Sequence, residues 1–111
     1  MTPPIIDRAV FKELQDTAGA DFVQELVGTF LEEAPLMLQE LQDALMAQSA
    51  DRFRRAAHSL KTNALTFGAM ALGEHAKALE LGGLPADASM LQGVQAAYAE
   101  AAAALRDLSR G

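Results

Sequence analysis

Between Gly19 and Gln48 the apolar residues Val23, Leu26, Val27, Phe30, Ala34, Met37, Leu41 and Leu45 recur at intervals dominated by three and four. That spacing places all eight on one face of an α-helix. A strand would need alternation with period two, and no segment of the chain sustains it. Pro35 lies inside the stripe and removes one backbone hydrogen bond, which predicts a kink. The stripe keeps its phase across Pro35, so one long bent helix is expected over residues 20–47, about 42 Å at 1.5 Å per residue. A helix of that length with a single apolar face needs other helices to cover it.

The rest of the chain supplies them. Ser49 and Asp51 are good N-terminal signals for a helix with Phe53, Ala57, Leu60 and Ala64 on one side. It should end near Thr66-Phe67-Gly68, where Gly68 suits a left-handed stop and a tight antiparallel return. The next helix, over 69–81, would bury Leu72, Ala76 and Leu79 before Gly82-Gly83-Leu84-Pro85 breaks the pattern. A last helix over 86–108 repeats apolar residues at Leu91, Val94, Tyr98, Ala101, Leu105 and Leu108, close to a heptad. Ahead of these, residues 7–17, with Val10, Phe11 and Leu14, make a short helix that could cover one end. The expected fold is all-α: a single domain over 1–111, with a capping helix within 1–19 and an antiparallel four-helix bundle over 20–108. Met37, Met46, Met70 and Met90 are expected as core fillers.

Composition narrows the function. Half of the 111 residues are apolar, yet no run approaches the roughly 20 residues that span a bilayer. The start, Met1-Thr2-Pro3-Pro4-Ile5-Ile6-Asp7, lacks the basic region and apolar stretch of a secretory signal. The absence of cysteine excludes disulfides, thiolate metal sites and thiol catalysis, and fits a cytoplasmic protein. A net charge of −6, no Trp and one Tyr argue against nucleic acid as a partner. No Gly-rich phosphate loop is present, so self-phosphorylation from ATP is not expected. A separate protein is expected from the N-terminal Met and the short length, and it is expected to be a monomer.

Against this acidic background, four of the nine basic residues fall in Arg52-Phe53-Arg54-Arg55-Ala56-Ala57-His58-Ser59-Leu60-Lys61, a span without an acid. At 100° per residue, His58 points about 130° away from the apolar side of its helix, outward or to the shoulder of the bundle. Arg54, Lys61 and Thr62 are its neighbours one turn away. From geometry alone, a solvated histidine in a chance cluster of cations is the more ordinary reading, because such clusters are common on helix surfaces. The chemical reading is more specific. A neutral imidazole can attack phosphorus with one nitrogen while the other donates its proton to a group that fixes the ring. Nearby cations would offset the phosphoryl charge, with Lys as a mobile point charge.

The run Ala56-Ala57-His58-Ser59-Leu60-Lys61-Thr62-Asn63, through Phe67-Gly68-Ala69, resembles the signature of histidine-containing phosphotransfer (HPt) domains of multistep two-component relays. Phe30-Leu31-Glu32-Glu33-Ala34-Pro35 upstream and Leu79-Glu80 downstream extend the likeness over about residues 20 to 82. The resemblance implies that His58 is the phosphoacceptor through Nε2, that Lys61 contacts the phosphoryl group, and that Glu80 accepts the Nδ1 proton. It also implies that Gly68 makes the interhelical turn. Thr62 stands where the family usually has Gly, a residue thought to let the partner approach. Arg54 and Arg55 match no invariant family position; with Thr62 and Leu65 they are assigned to partner docking and electrostatics.

The resemblance further implies a phosphotransfer intermediate rather than an enzyme, accepting phosphate from one response-regulator receiver domain and passing it to another. A hybrid sensor histidine kinase is a further implied partner. The chain itself would carry no cofactor, Mg²⁺ being supplied by the receiver. Two rivals stay open: an interaction-only bundle that sequesters a receiver, and a small ligand- or metal-binding bundle. For the latter, Glu74-His75 lacks the Glu-x-x-His spacing of bundle metal sites, so no metal is expected. His75, beside Leu72 and Leu79, is expected to be a half-buried, hydrogen-bonded packing residue. Glu32-Glu33 reads as a solvated face.

Overall fold

A computed structural model describes residues 5–109; the expectation about the Met1–Pro4 start lies outside them. Five helices follow one another: α1 (Arg8–Ala18), α2 (Ala20–Met46), α3 (Ala50–Thr66), α4 (Met70–Gly82) and α5 (Ser89–Ser109). No strand occurs among the described residues. α2 packs on α3 and α5, and α4 packs on the same two, closing a four-helix ring; α1 lies against α2 and α3. No helix of the described residues is long and apolar enough to cross a membrane.

Three of the helix starts have a local side-chain cause. The Asp7 side chain accepts from the amides of Ala9 and Val10 to cap α1, and the Ser49 hydroxyl accepts from Arg52 to cap α3. α2 runs unbroken through Pro35, because the seven residues it buries, Val23 to Leu45, hold both sides of the proline to one core. α5 begins at Ser89 rather than at residue 86. The Asp87 carboxylate accepts from the amide and the hydroxyl of Ser89, an Asx-type turn that delays helix formation.

The core joins the faces read from the stripes, with Leu41, Phe53, Leu60, Leu72, Leu91 and Leu105 almost wholly out of water. Phe30 links three elements: its ring lies 5.4 Å from Phe67 and 6.2 Å from Tyr98, whose hydroxyl donates to the Leu31 carbonyl at 3.3 Å. Three of the four methionines expected in the core are not core fillers. Met46 is 84% exposed, and Met70 and Met90 also reach solvent, whereas Met37 packs partly buried against the core. They sit at or next to helix ends, where the bundle has no neighbouring layer to cover them.

The α3–α4 turn is tied down from outside. Gly68 adopts a left-handed φ of 81°, and its carbonyl accepts from the Asp7 amide at 2.8 Å. A Cβ at Gly68 would stand 2.7 Å from the Asp7 carbonyl oxygen. Glycine therefore serves twice here, for the backbone conformation and for the close approach of the segment leading into α1.

Candidate functional site

α3 and α4 run antiparallel, and this brings together residues far apart in sequence. The Nδ1 of His58 on α3 is in hydrogen-bond contact with Oε2 of Glu80 on α4. The other carboxylate oxygen of Glu80 accepts from Nζ of Lys61 at 2.6 Å. Glu80 thus divides its two oxygens between the imidazole and the ammonium. Its side chain is only 11% exposed, that of Lys61 23%, while that of His58 remains 57% exposed.

The hydrogen bond from Lys61, aided by that of His58 and opposed by partial desolvation, holds the Glu80 carboxyl below its ordinary range. An ionised carboxylate only accepts hydrogen bonds, so the proton between the two groups belongs to Nδ1 of His58. That leaves the lone pair on Nε2, which has no hydrogen-bond partner among the described residues. In a neutral ring, a carboxylate at this position favours the Nδ1-protonated tautomer.

At the close contact of α3 and α4 lies Gly73, a residue not singled out by the sequence reading, which faces the end of the exposed Leu65 side chain. A Cβ there would come within 2.6 Å of Leu65 Cδ2. A glycine in the middle of a helix is costly, and that cost was the signal available in the sequence. Leu65 and Thr62 lie on the exposed side of α3, Leu65 leaning on Gly73.

The cationic run is largely offset by carboxylates, a correction to the picture of an unopposed positive patch. Arg52 makes a two-pronged contact with Glu40 of α2, Nε at 3.0 Å and Nη2 at 2.8 Å. Arg54 and Arg55 both reach Asp51, at 2.9 and 2.8 Å. The Arg54 hydrogen bond, then the Arg55 charge, keep the Asp51 carboxyl low, and the Arg52 hydrogen bond does the same for Glu40. Between α2 and α3, beside this run, lies an open groove of about 540 Å³ lined by Leu36, Met37, Arg55, Ala56 and Ser59 among others.

His75 departs from its expected role. It is exposed and has no hydrogen bond among the described residues. Its ring instead covers Gly93 of α5, where a Cβ would meet Cε1 at 3.1 Å. Glu32 and Glu33 are solvated as read. No group of three or more potential metal ligands occurs among the described residues.

Comparison with known proteins bears on the fold and the family. No curated protein matches the chain. The crystal structure of histidine-containing phosphotransfer protein B (HptB) from Pseudomonas aeruginosa PAO1 shares its fold, with a TM-score of 0.87 over 98% of this chain and 97% of that one, at 24% identity. The family model described as "Hpt domain" matches residues 25–106, which takes in α3, α4 and most of α2 and α5. With a match over that much of its length, the chain belongs to the Hpt domain family.

Proposed function

We propose that the chain relays a phosphoryl group between aspartates of response-regulator receiver domains, with His58 as the carrier. The observation that supports this most directly is the Glu80 contact, which keeps the proton on Nδ1 and leaves Nε2 facing solvent. Nε2 attacks the phosphorus of an aspartyl phosphate, the P–O bond to the aspartyl oxygen breaks, and the aspartate leaves as a carboxylate. No proton has to move. The ring becomes positively charged as the N–P bond forms, and the Glu80 carboxylate already sits where that charge develops. For onward transfer, an aspartate oxygen of the second receiver attacks phosphorus and the N–P bond breaks.

Lys61 is placed on Glu80, and its contact with a phosphoryl oxygen requires the ammonium to swing or share its protons. Three donors on a flexible stem permit that. The chain supplies a positioned nucleophile on a stiff bundle, and the receiver would supply Mg²⁺ and much of the transition-state stabilisation. On this reading the protein is a monomeric cytoplasmic intermediate with no kinase activity of its own, a hybrid sensor histidine kinase being a further partner. Incubation with a phosphorylated receiver domain should label His58 in an acid-labile, base-stable form. Unimpaired labelling of His58→Gln would remove the assignment, and pathway output surviving that substitution would favour a bundle that only sequesters receivers.

A further inference from the structure

The basic run before His58 contains two kinds of arginine. Arg52 is a clamp between helices, its planar fork engaging both oxygens of Glu40 on α2. Arg54 and Arg55 instead share the one carboxylate of Asp51, in the first turn of their own helix. All three of these side chains are more than half exposed. Ion pairs so open to water contribute little to stability and change partners readily. One carboxylate against two guanidinium groups leaves the cluster net positive, with Glu40 of α2 also feeling the Arg55 charge.

Their position gives this arrangement a use. At 100° per residue, Arg54 leaves α3 about 40° to one side of His58 and Arg55 about 60° to the other. The pair straddles the line of His58 one turn towards the N-terminus. Arg55 also lines the groove between α2 and α3, with Ser59, the residue after His58. An anion approaching His58 along the N-terminal part of α3 meets both guanidinium groups, with Glu33 and Glu40 on the far side of the groove.

We propose that Asp51 determines specificity by holding Arg54 and Arg55 as a releasable cationic pair, handed over to acidic side chains around the aspartyl phosphate of a docking receiver. The proposal rests on the phosphotransfer reading above. Asp51 competes with the partner for two guanidinium groups. A receiver with a dense acidic rim wins them and docks quickly; one with few acids leaves them on Asp51 and docks slowly. Lys61 takes no part in this exchange, being held by Glu80 one turn towards the C-terminus of α3.

The test measures the second-order rate of transfer from a phosphorylated receiver domain to the chain, at about 20 mM and about 500 mM salt. Asp51→Asn should raise the rate roughly threefold to tenfold at low salt and less than twofold at high salt, where exposed charges are screened. The Arg54→Gln/Arg55→Gln variant should lower it about tenfold at low salt, and adding Asp51→Asn to that background should change nothing further. Asp16→Asn makes the same change in net charge on α1 and should have no effect. Asp51→Ser, which keeps a residue suited to a first helical turn, serves as a second variant if Asp51→Asn lowers the thermal midpoint. Equal rates for wild type and both Asp51 variants overturn the proposal, as does an effect that persists without the two arginines. Absence of any label on wild-type His58 would instead sink the phosphotransfer reading itself, and this proposal with it.

Discussion

The Nδ1 of His58 and the carboxylate of Glu80 are twenty-two residues apart in sequence and in hydrogen-bond contact across the α3–α4 seam. The other Glu80 oxygen holds Lys61, so one side chain contacts both the imidazole and the nearby ammonium. Removing it should therefore have separable effects on the imidazole and on the ammonium.

Glu80→Ala should slow transfer to His58 by roughly tenfold, the scale on which orienting partners of a working imidazole act. Glu80→Gln should recover part of the rate, since its carbonyl can still accept from Nδ1. Nitrogen NMR of the His58 ring should show the Nδ1-protonated tautomer in wild type and a mixture in Glu80→Ala. A single unchanged tautomer in all three proteins would show that Glu80 does not set it. Unfolding of Glu80→Ala, read by circular dichroism, would mark the residue as structural.

Lys61→Ala should reduce the transfer rate while the circular dichroism spectrum stays that of a helical bundle. Lys61 lies outside the apolar core cluster, although its side chain is only 23% exposed, so the bundle should survive the loss of its contacts. The same variant should shorten the lifetime of the phosphorylated form if the ammonium moves from Glu80 to the phosphoryl oxygens. Identical rates and lifetimes in variant and wild type would leave Lys61 with no role beyond holding Glu80.

Acid should weaken the fold through the carboxylates that hold cations. Glu80 and Glu40 lie below their ordinary value of 4.5 and Asp51 below 3.8, each chiefly because of a basic partner. A group with a lower folded than unfolded pKa adds stability in full above the unfolded value, and that stability is lost as pH falls through the folded one. The thermal midpoint should accordingly drop between about pH 6 and about pH 3. Glu80→Gln, lacking one such group, should show a shallower drop, and matching slopes in the two proteins would contradict the hold that Glu80 has on its partners.

Gly68→Ala should cost about 1–3 kcal/mol, since it combines a left-handed backbone with a crowded contact. The residue sits at φ 81°, and an added methyl would meet the Asp7 carbonyl oxygen at 2.7 Å. Gly82→Ala is the contrast, with nothing within 4 Å of its added methyl and a helical backbone. It should be neutral or stabilising by up to about 1 kcal/mol. Denaturant unfolding of both variants distinguishes the two sites, and equal stabilities would mean the Asp7–Gly68 contact yields without cost.

Much of this molecule is legible in its residue pattern, because helical periodicity and end signals are local. The Val23–Leu45 stripe survives Pro35 as one helix, and the direction computed for His58 agrees with its exposed ring. Ser49 caps α3 and Gly68 turns left-handed as their residue types suggest. Local reasoning fails where neighbours from other elements decide. Met46, Met70 and Met90 look like core residues by type, yet sit where no layer covers them. His75 lies near an apolar stripe but finds Gly93 rather than a hydrogen-bond partner.

The amino-acid order by itself determined five helices, their apolar faces and the outward direction of His58, since each follows from a rise and rotation that repeat along one segment. Only the tertiary structure decided what surrounds that histidine. Glu80 reaches Nδ1 because the Gly68 turn folds α4 back along α3, and Glu40 pairs with Arg52 because α3 packs beside α2. Charges pair through space, over a few ångströms, and the distance between two side chains on different helices is set by packing rather than by their separation along the chain.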